Sequence, residues 1–233
     1  MGIYIFNWEV LKEALITLSE QPGCDFGKHI IPYCHENGNK IVAYPFQGYW
    51  KDVGTLGSYW ESNMELIDII PEFNLYETFW KIYTKSDTLP AQYIASGSRV
   101  ERSIIGEGSE IYGEVHNSVI GSGVIVEEGS VVRDSIIMND TRIGKYVTIN
   151  RSIIAEDCEI SDGVILGAFD EAENKVAPHI YSYGLVTIGE GSYIPANVMI
   201  GKNTAISGIT IPDDYKDNKL DSGETLIKAG EMI

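Results

Sequence analysis

The carboxyl-terminal part of the chain repeats an aliphatic residue every six positions. The clearest run is Ile188, Ile194, Ile200 and Ile206. An α-helix or an isolated strand does not produce a period of six, whereas a coiled β-solenoid does. With slips of one residue between runs, the same spacing occurs at Ile105, Ile111, Ile120, Val126, Val132, Ile137, Ile143, Ile149, Ile154, Ile160 and Leu166. The pattern predicts a mainly β fold, a three-sided parallel β-helix over residues 98–212, with inward side chains stacked about eighteen residues apart.

The first 70 residues have a different pattern, in which strand and helix signals alternate. The predicted elements are a buried strand over 1–7, a helix over 8–20, a helix from Phe26 to about His35 closed by Gly38, one or two strands over 39–50, and a helix over 55–70. This alternation is typical of an α/β domain. Because about 70 residues seldom form a stable domain unaided, we interpret residues 1–70 as a piece of such a domain.

Three further segments have no hexads. Residues 71–97 form a linker whose aromatic residues predict packing between the two parts, namely Phe73, Phe79, Trp80, Tyr83 and Tyr93. Residues 167–185 interrupt the hexads, and we expect an insertion that leaves the coil at a corner. Residues 213–233 form a polar tail that we expect to cover the open end of the coil.

Charge and composition exclude several classes of protein. The formal net charge is −17, from 17 basic and 34 acidic residues, and it would repel a nucleic acid. No run of eighteen apolar residues predicts a membrane span, and the first ten residues do not resemble a signal peptide, so we expect a cytoplasmic protein. Cys24, Cys34 and Cys158 lack metal-ligand or disulfide spacing, which favours reduced structural thiols.

The segment GYWKDVGT, residues 48–55, is the strongest candidate for a functional site. An exposed Trp50 would offer an apolar face to a sugar ring, and the Asp52 carboxylate could bind Mg²⁺ together with substrate phosphates. The residues alone leave an alternative open, in which Asp52 caps the helix that begins near Thr55 and Trp50 simply packs. The glycine-rich strings GEGSEIYG and GEGSYI coincide with predicted corners of the coil, so we do not interpret them as phosphate loops.

Several strings together resemble one enzyme family. YPFQGYWKDVGT, SYWESNMELI, WKIYT and LPAQYI are followed by hexads and preceded by MGIYIFN and DFGKHIIP. In this order they resemble the carboxyl-terminal part of bacterial ADP-glucose pyrophosphorylase, or glucose-1-phosphate adenylyltransferase, over residues 1 to about 166. The resemblance implies that the β-helix is left-handed, and that the α/β piece belongs to a sugar nucleotidyltransferase domain.

The resemblance also implies an activity and its residues. Members of the family join glucose 1-phosphate to the adenylyl group of ATP and release pyrophosphate, for glycogen biosynthesis. The family motifs assign Tyr4, Asp25, Phe26 and Trp50 to the glucose 1-phosphate pocket, and Asp52 to catalysis and to Mg²⁺. They further imply a homo-oligomer that responds to sugar-phosphate or nucleotide effectors.

The resemblance is incomplete in one respect. The family's glycine-rich loop, which holds the nucleoside triphosphate, and its lysine for the sugar phosphate belong to a part that precedes the residues matched here. We therefore expect the 233-residue chain to be a truncated product, fragment or split gene that has no adenylyltransferase activity alone.

Two alternatives remain open. A hexapeptide-repeat acyltransferase would use the same coil with a histidine as general base, for which His116 and His179 are the candidates in the coil, although that interpretation leaves GYWKDVGT unexplained. The chain could instead be a non-catalytic scaffold or regulatory subunit, which is compatible with the family assignment.

Overall fold

The computed structural model describes residues 2–19, 23–75, 77–84 and 88–228. Contacts between Cα atoms divide the chain into a first unit, Met1–Trp50, and a second unit, Lys51–Ile233. The boundary predicted from the sequence is residue 70. Parts of the predicted first strand, first helix, linker and tail lie outside the described residues, at Met1, Glu20, Tyr76, 85–87 and 229–233. In the described ranges, no helix is long and apolar enough to cross a membrane.

The first unit contains the two predicted helices. Its elements are α1 (Trp8–Leu18), a five-residue π-helix (Phe26–Ile30) and α2 (Ile31–Glu36). Asn7 caps α1 by accepting a hydrogen bond from the Glu9 amide, and Gly38 follows α2 with a φ of 75°, as the sequence predicts. A small core of Ala14, Leu18, Ile30 and Cys34 joins the helices.

The strands predicted over residues 1–7 and 39–50 are not present in the described parts of these segments. Residues 2–7 and 39–50 have no regular secondary structure, and Ile3, Ile5 and Val42 are exposed. A strand needs a hydrogen-bonded neighbour, and the described residues of the first unit provide none. The predictions are therefore wrong because β-type composition alone does not supply a pairing partner.

The second unit consists mainly of short parallel strands, which form three sheets within residues 88–228. The first sheet has six strands: β1 (Tyr93–Ile94), β4 (Glu110–Ile111), β7 (Ile125–Val126), β10 (Arg142–Ile143), β13 (Glu159–Ile160) and β16 (Tyr193–Ile194). The second has seven: β2 (Arg99–Glu101), β5 (Glu114–His116), β8 (Val131–Arg133), β11 (Thr148–Asn150), β14 (Ile165–Ala168), β17 (Met199–Gly201) and β19 (Lys219–Leu220). The third also has seven: β3 (Ile104–Ile105), β6 (Val119–Ile120), β9 (Ile136–Ile137), β12 (Ser152–Ile154), β15 (Val186–Ile188), β18 (Thr204–Ser207) and β20 (Thr225–Ile227). From β1 to β18 every third strand joins the same sheet, and β19 and β20 then pair with β17 and β18, so the predicted three-sided parallel β-helix is confirmed.

The register stacks the predicted aliphatic residues into ladders. On the first sheet, Ile143 pairs with Val126 on one side and Ile160 on the other, and all three side chains are fully buried. Most turns near the centre are 17 residues long, as the bond from the Ser135 amide to the Ser118 hydroxyl shows. The turns are shorter than three full hexads because of the one-residue slips between runs.

Hydroxyl groups inside the corners join one turn to the next. Ser130 Oγ donates to the Gly144 carbonyl and accepts from the Val147 amide at 2.9 Å. Thr141 Oγ1 similarly donates to the Ala155 carbonyl and accepts from the Cys158 amide. These bonds satisfy backbone groups that the short strands leave without partners.

Helix α3 (Leu56–Glu65) begins at a Thr55 cap and is shorter than the predicted 55–70 helix. Its apolar side packs on the coil as far as Met64, whereas Ile69 and Ile70 are exposed. The helix ends several residues before Pro71, and Ile67, just beyond its end, is still buried.

The insertion and the tail are both attached to the coil. Asn203 donates to Glu171 and to the Ala172 carbonyl, and its Oδ1 accepts from the Gly184 amide at 2.7 Å, so one buried side chain closes the base of the insertion. In the tail, β19 and β20 extend two of the sheets, and the coil runs beyond residue 212.

The prediction that the linker aromatics are packed is wrong for three of them. Phe79, Trp80 and Tyr83 are almost fully exposed, while Tyr93 contacts Tyr112 with ring centroids 5.9 Å apart. Tyr93 differs because it lies in a strand, β1, and so has a neighbour on the adjoining turn.

Candidate functional site

Three aromatic rings of the first unit form a cluster that includes two of the predicted sugar-pocket residues. The rings of Tyr4 and Phe26 stack with centroids 5.7 Å apart and an interplanar angle of 7°, and Phe6 packs against both. Tyr4 is 41% exposed and Phe26 is 38% exposed, so the cluster also presents apolar surface to solvent. Aromatic faces of this kind are suited to the apolar face of a sugar ring.

Asp25 lies at the start of the π-helix. Its Oδ1 accepts from the Lys28 amide at 2.7 Å, and its own amide donates to His29 Nδ1 at 2.9 Å. The Ile31 amide bonds to the Phe26 carbonyl, which is the wider spacing of a π-turn, immediately before Pro32. Single π-turns are frequent at functional sites, and this one fixes the Asp25 carboxylate next to the aromatic cluster.

The space above Gly27 lies between two polar groups of the predicted site. A Cβ atom added at Gly27 would lie 3.4 Å from Asp25 Oδ1 and 4.0 Å from the Tyr4 hydroxyl oxygen. The hydroxyl and the carboxylate therefore face the same small space, and glycine leaves it open. Together they could donate to and accept from the hydroxyl groups of a sugar.

Trp50 and Asp52 lie on opposite sides of the boundary between the units. Trp50 ends the first unit and is 48% exposed. Its side chain is therefore not sealed in a core, in contrast to the simple packing alternative. Asp52 belongs to the second unit, together with helix α3.

The loop that holds Asp52 is fixed to helix α3. Asp52 Oδ1 accepts from the Gly54 amide at 3.0 Å, so it closes a tight turn and does not cap α3. Thr55 is the cap instead, in a reciprocal pair with Ser58. Lys51 Nζ lies 2.6 Å from Glu65 Oε1 and 3.7 Å from Glu61 Oε2, so that Lys51 reaches along the helix.

Asp52 offers a single carboxylate, so a metal ion at this position would have to be held mainly by its substrates. Among the described residues, no three His, Cys, Asp or Glu side chains come together as a metal site. Mg²⁺ often binds through only one or two carboxylates, with substrate phosphates and water completing its shell. The exposed carboxylate of Asp52 keeps one oxygen besides the one bonded to Gly54, and is compatible with that arrangement.

His116 does not fit the role that the acyltransferase alternative requires. Its Nδ1 lies 3.2 Å from Glu101 Oε2, and its Nε2 lies 2.9 Å from Glu114 Oε2. Hydrogen bonding to Arg99 lowers the pKa of Glu101, and hydrogen bonding to His116 lowers the pKa of Glu114. Both ring nitrogens are therefore engaged with carboxylates.

Comparison with known families divides the chain in the same way as its sequence pattern. Residues 1–69 match the family described as nucleotidyl transferase, and residues 89–188 match the family described as GlmU-like, C-terminal hexapeptide. The fold and these matches define a nucleotidyltransferase segment joined to a hexapeptide-repeat coil.

Individual relatives specify the family. The chain is 64% identical over 231 residues to glucose-1-phosphate adenylyltransferase of Lachnospira eligens, covering 99% of this chain and 55% of the relative. It is 44% identical to the enzyme of that name from Acetivibrio thermocellus over 233 residues, and 44% identical to the one from Thermotoga maritima over 230 residues, covering 99% and 97% of this chain and 55% and 54% of the relatives. The chain belongs to the glucose-1-phosphate adenylyltransferase family, as its motifs predict, and spans about half the length of the curated relatives it matches.

Three residues that shape the candidate site are not predicted from the sequence. These are Gly27, whose missing side chain leaves the space open, His29, which accepts from the Asp25 amide, and Lys51, which ties the Asp52 loop to α3. All three lie inside the strings DFGKH and GYWKD that drew attention to their neighbours. Their roles depend on backbone geometry, which the strings alone do not reveal.

Proposed function

We propose that this chain contributes the sugar-phosphate side of a glucose-1-phosphate adenylyltransferase site. The reaction converts ATP and glucose 1-phosphate to ADP-glucose and pyrophosphate, in a route to glycogen. A phosphate oxygen of glucose 1-phosphate attacks the α-phosphorus of ATP, and pyrophosphate leaves from the opposite side. Such transfers need little covalent participation by the protein, so positioning and charge neutralisation account for most of the catalysis.

The observation that supports the proposal most directly is the arrangement of Tyr4, Asp25 and Phe26 around Gly27. The stacked rings would cover one face of the glucose ring, while the Asp25 carboxylate and the Tyr4 hydroxyl bond to its hydroxyl groups. Trp50, exposed and two residues after Gly48, would supply a second apolar face and exclude water. The identity to the named relatives makes glucose 1-phosphate the expected ligand.

Asp52 would bind Mg²⁺ together with the phosphates of the substrates. The ion would offset the negative charge that the phosphates bring together during the transfer. The chain itself would hold the Asp52 loop in place through the Gly54 amide and through the ion pairs of Lys51 with α3.

The coil would assemble copies of the protein and form part of a regulatory site. Its match to a hexapeptide-repeat family supports this role, because such coils present flat faces that associate readily. Sugar phosphates or nucleotides would bind at this regulatory site as effectors. Light scattering combined with size-exclusion chromatography should give the mass of two or more chains of 25.8 kDa each. A monomer at all concentrations would contradict the proposed assembly.

Gly27→Ala provides a sharp test of the sugar pocket. The added methyl group would occupy the space between Asp25 and Tyr4 without colliding with the backbone, so the fold should be retained. We expect glucose 1-phosphate to bind the 233-residue chain, and Gly27→Ala to weaken that binding by about tenfold, as loss of well-placed polar contacts does. Isothermal titration calorimetry measures both affinities.

Gly2→Ala is the matched control, because nothing lies within 4 Å of a Cβ added at Gly2. It should leave the affinity unchanged. Equal binding by Gly27→Ala and the unmodified chain, or no binding by either, would contradict the proposed pocket.

Activity of the isolated polypeptide tests the remaining expectation. No glycine-rich loop with a basic residue suited to a triphosphate was identified in these 233 residues. We therefore expect no ADP-glucose from the purified 233-residue chain with ATP, glucose 1-phosphate and Mg²⁺. Formation of ADP-glucose in that assay would show that the triphosphate can be held by residues other than such a loop.

A further inference from the structure

Helix α3 covers an apolar strip on the outside of the third sheet. On this sheet the strand residue that precedes the inward aliphatic faces outward, and in several turns it is also aliphatic. Ile136 and Ile153 are such residues, and both are buried together with Leu185 of the insertion. The side chains packed on them are Leu56, Tyr59, Trp60, Met64 and Met138. The coil therefore provides a docking face for the helix that follows the Asp52 loop.

Trp60 anchors the middle of α3 to two successive corners of the coil. Its Nε1 donates to the Asp134 carbonyl at 2.7 Å, and the Arg151 guanidinium lies 4.1 Å from the centroid of its ring. Asp134 and Arg151 are both corner residues with positive φ, 49° and 48°. One hydrogen bond and one cation–π contact thus fix the position of the same indole.

Arg151 also connects the helix to the insertion. Its Nε donates to the Tyr183 carbonyl at 2.6 Å. The Tyr183 ring lies over Gly57, where an added Cβ would come within 2.7 Å of the ring. The first turn of α3 is therefore held against the insertion, and Arg151 contacts both partners.

The Asp52 loop in turn depends on the position of α3. Lys51 pairs with Glu61 and Glu65, one of them near the far end of the helix, and Thr55 begins the helix through its bonds with Ser58. Asp52 lies between these two attachments. A shift of α3 on the coil would therefore move both attachments and the carboxylate between them.

We propose that Arg151 and Trp60 are positioning residues for Asp52, acting through helix α3. This inference rests on the proposed role of Asp52 in binding Mg²⁺ and substrate. The coil then does more than join subunits, because its corners set the geometry of a loop that takes part in binding. Neither Arg151 nor Trp60 needs to contact the substrate.

Hydrogen exchange tests, without a ligand, whether Arg151 and Trp60 hold the Asp52 turn and the start of α3 in place. The Gly54 amide reports on the Asp52 turn, and the Ser58 amide reports on the start of α3. We expect Arg151→Asn and Trp60→Phe each to speed exchange at these two amides by about tenfold. Asparagine suits the positive φ of residue 151, and phenylalanine retains a ring for the arginine, so both variants should fold.

The Val147 amide, which bonds to Ser130 inside the coil, shows whether the coil itself stays intact. Its exchange should not change in either variant. Arg99→Ala is the control, because Arg99 is an exposed arginine of the coil that pairs with Glu101; it should leave the Gly54 and Ser58 amides as they are. Unchanged exchange at both amides in both variants would overturn the proposal.

A double-mutant cycle separates positioning from general structural support. In the presence of Mg²⁺, Arg151→Asn should weaken glucose 1-phosphate binding by about tenfold in the unmodified chain, and much less in an Asp52→Asn background. The same loss in both backgrounds would show that Arg151 acts independently of Asp52. If the unmodified chain binds no glucose 1-phosphate, the proposed function fails, and the exchange measurements still decide whether Arg151 and Trp60 fix the loop.

Discussion

The coil and the first unit differ in how their apolar residues find partners. In the coil, each inward aliphatic meets an equivalent residue on the turn above and the turn below, as Ile143 meets Val126 and Ile160. In the first unit, the helices share a small core around Ala14, whereas Ile5 in the irregular segment before α1 is 99% exposed. In a repeat, each apolar residue packs against the equivalent residues of neighbouring turns, so the repeated sequence supplies its own partners. A single segment of β-type composition needs strands from other parts of a protein to bury its apolar residues.

The largest effect should come from opening a cavity in the coil. Ile143→Ala removes three carbons from a fully buried ladder position, and we expect the free energy of unfolding to fall by about 2–5 kcal/mol. Ile5→Ala, the matched change in the first unit, should alter it by less than about 0.5 kcal/mol because Ile5 is already exposed. Urea unfolding followed by circular dichroism measures both values. Equal losses would mean that Ile5 is buried and that the contrast between the two regions is false.

A smaller effect should follow from removing a corner hydroxyl. Ser130→Ala leaves the buried Val147 amide without an acceptor, which should cost about 1–3 kcal/mol. Ser19→Ala, at the end of α1, removes an exposed hydroxyl that bonds to the Ile16 carbonyl and should cost much less. Urea unfolding and exchange at the Val147 amide test this difference. A loss no greater than that of Ser19→Ala would show that water replaces the serine inside the coil.

The same difference explains how much of the fold could be predicted from the sequence. The inward ladders could be predicted because each side chain repeats its own environment at a fixed spacing. The lack of strands in residues 2–7 and 39–50 could not, because whether a segment forms a strand depends on a hydrogen-bonded partner outside that segment. The docking face of α3 could have been predicted from two aliphatic doublets, Ile136–Ile137 and Ile153–Ile154. In each doublet the first aliphatic residue faces outward.

The candidate site likewise has residues that the sequence predicts and geometry that it does not. Recognisable strings marked Asp25 and Asp52, because each carboxylate occurs in a distinctive local sequence. The open space at Gly27 and the anchoring of α3 by Arg151 could not be predicted, since they arise from backbone geometry and from a contact across about ninety residues of chain.

Titration of buried groups should weaken the coil at high pH. Burial raises the pKa of Cys158 from 9.0 to about 11 and that of Tyr215 from 10.0 to about 12. Because the folded state holds both protons more tightly, this contribution to stability is complete below pH 9 and is lost as the pH rises through 11 and 12. The free energy of unfolding, measured by urea titration from pH 8 to pH 11, should therefore decline.

Cys158→Ala provides the control for that decline. The variant should lose less stability between pH 9 and pH 11, whereas Cys24→Ala, at an exposed position of the first unit, should follow the unmodified chain. Identical curves for all three proteins would show that Cys158 ionises as easily in the folded coil as in the unfolded chain.

The smallest effect concerns a polar atom that the coil buries without a partner. Among the described residues, Thr187 Oγ1 is the one buried side-chain oxygen or nitrogen that lacks a hydrogen bond. Thr187 lies on β15, paired with Ile153 of the strip that α3 covers. Thr187→Val replaces the hydroxyl with a methyl group of similar size, so it should leave the stability unchanged or raise it by up to about 1 kcal/mol. Thr17→Val, on exposed α1 surface, removes only a long, exposed hydrogen bond of 3.4 Å from the Tyr33 hydroxyl and should change the free energy of unfolding by less than about 0.5 kcal/mol in either direction. Urea unfolding of both variants decides the point, because a clear loss in Thr187→Val alone would show that the hydroxyl is satisfied and that the strip beneath α3 is wetter than its apolar side chains indicate.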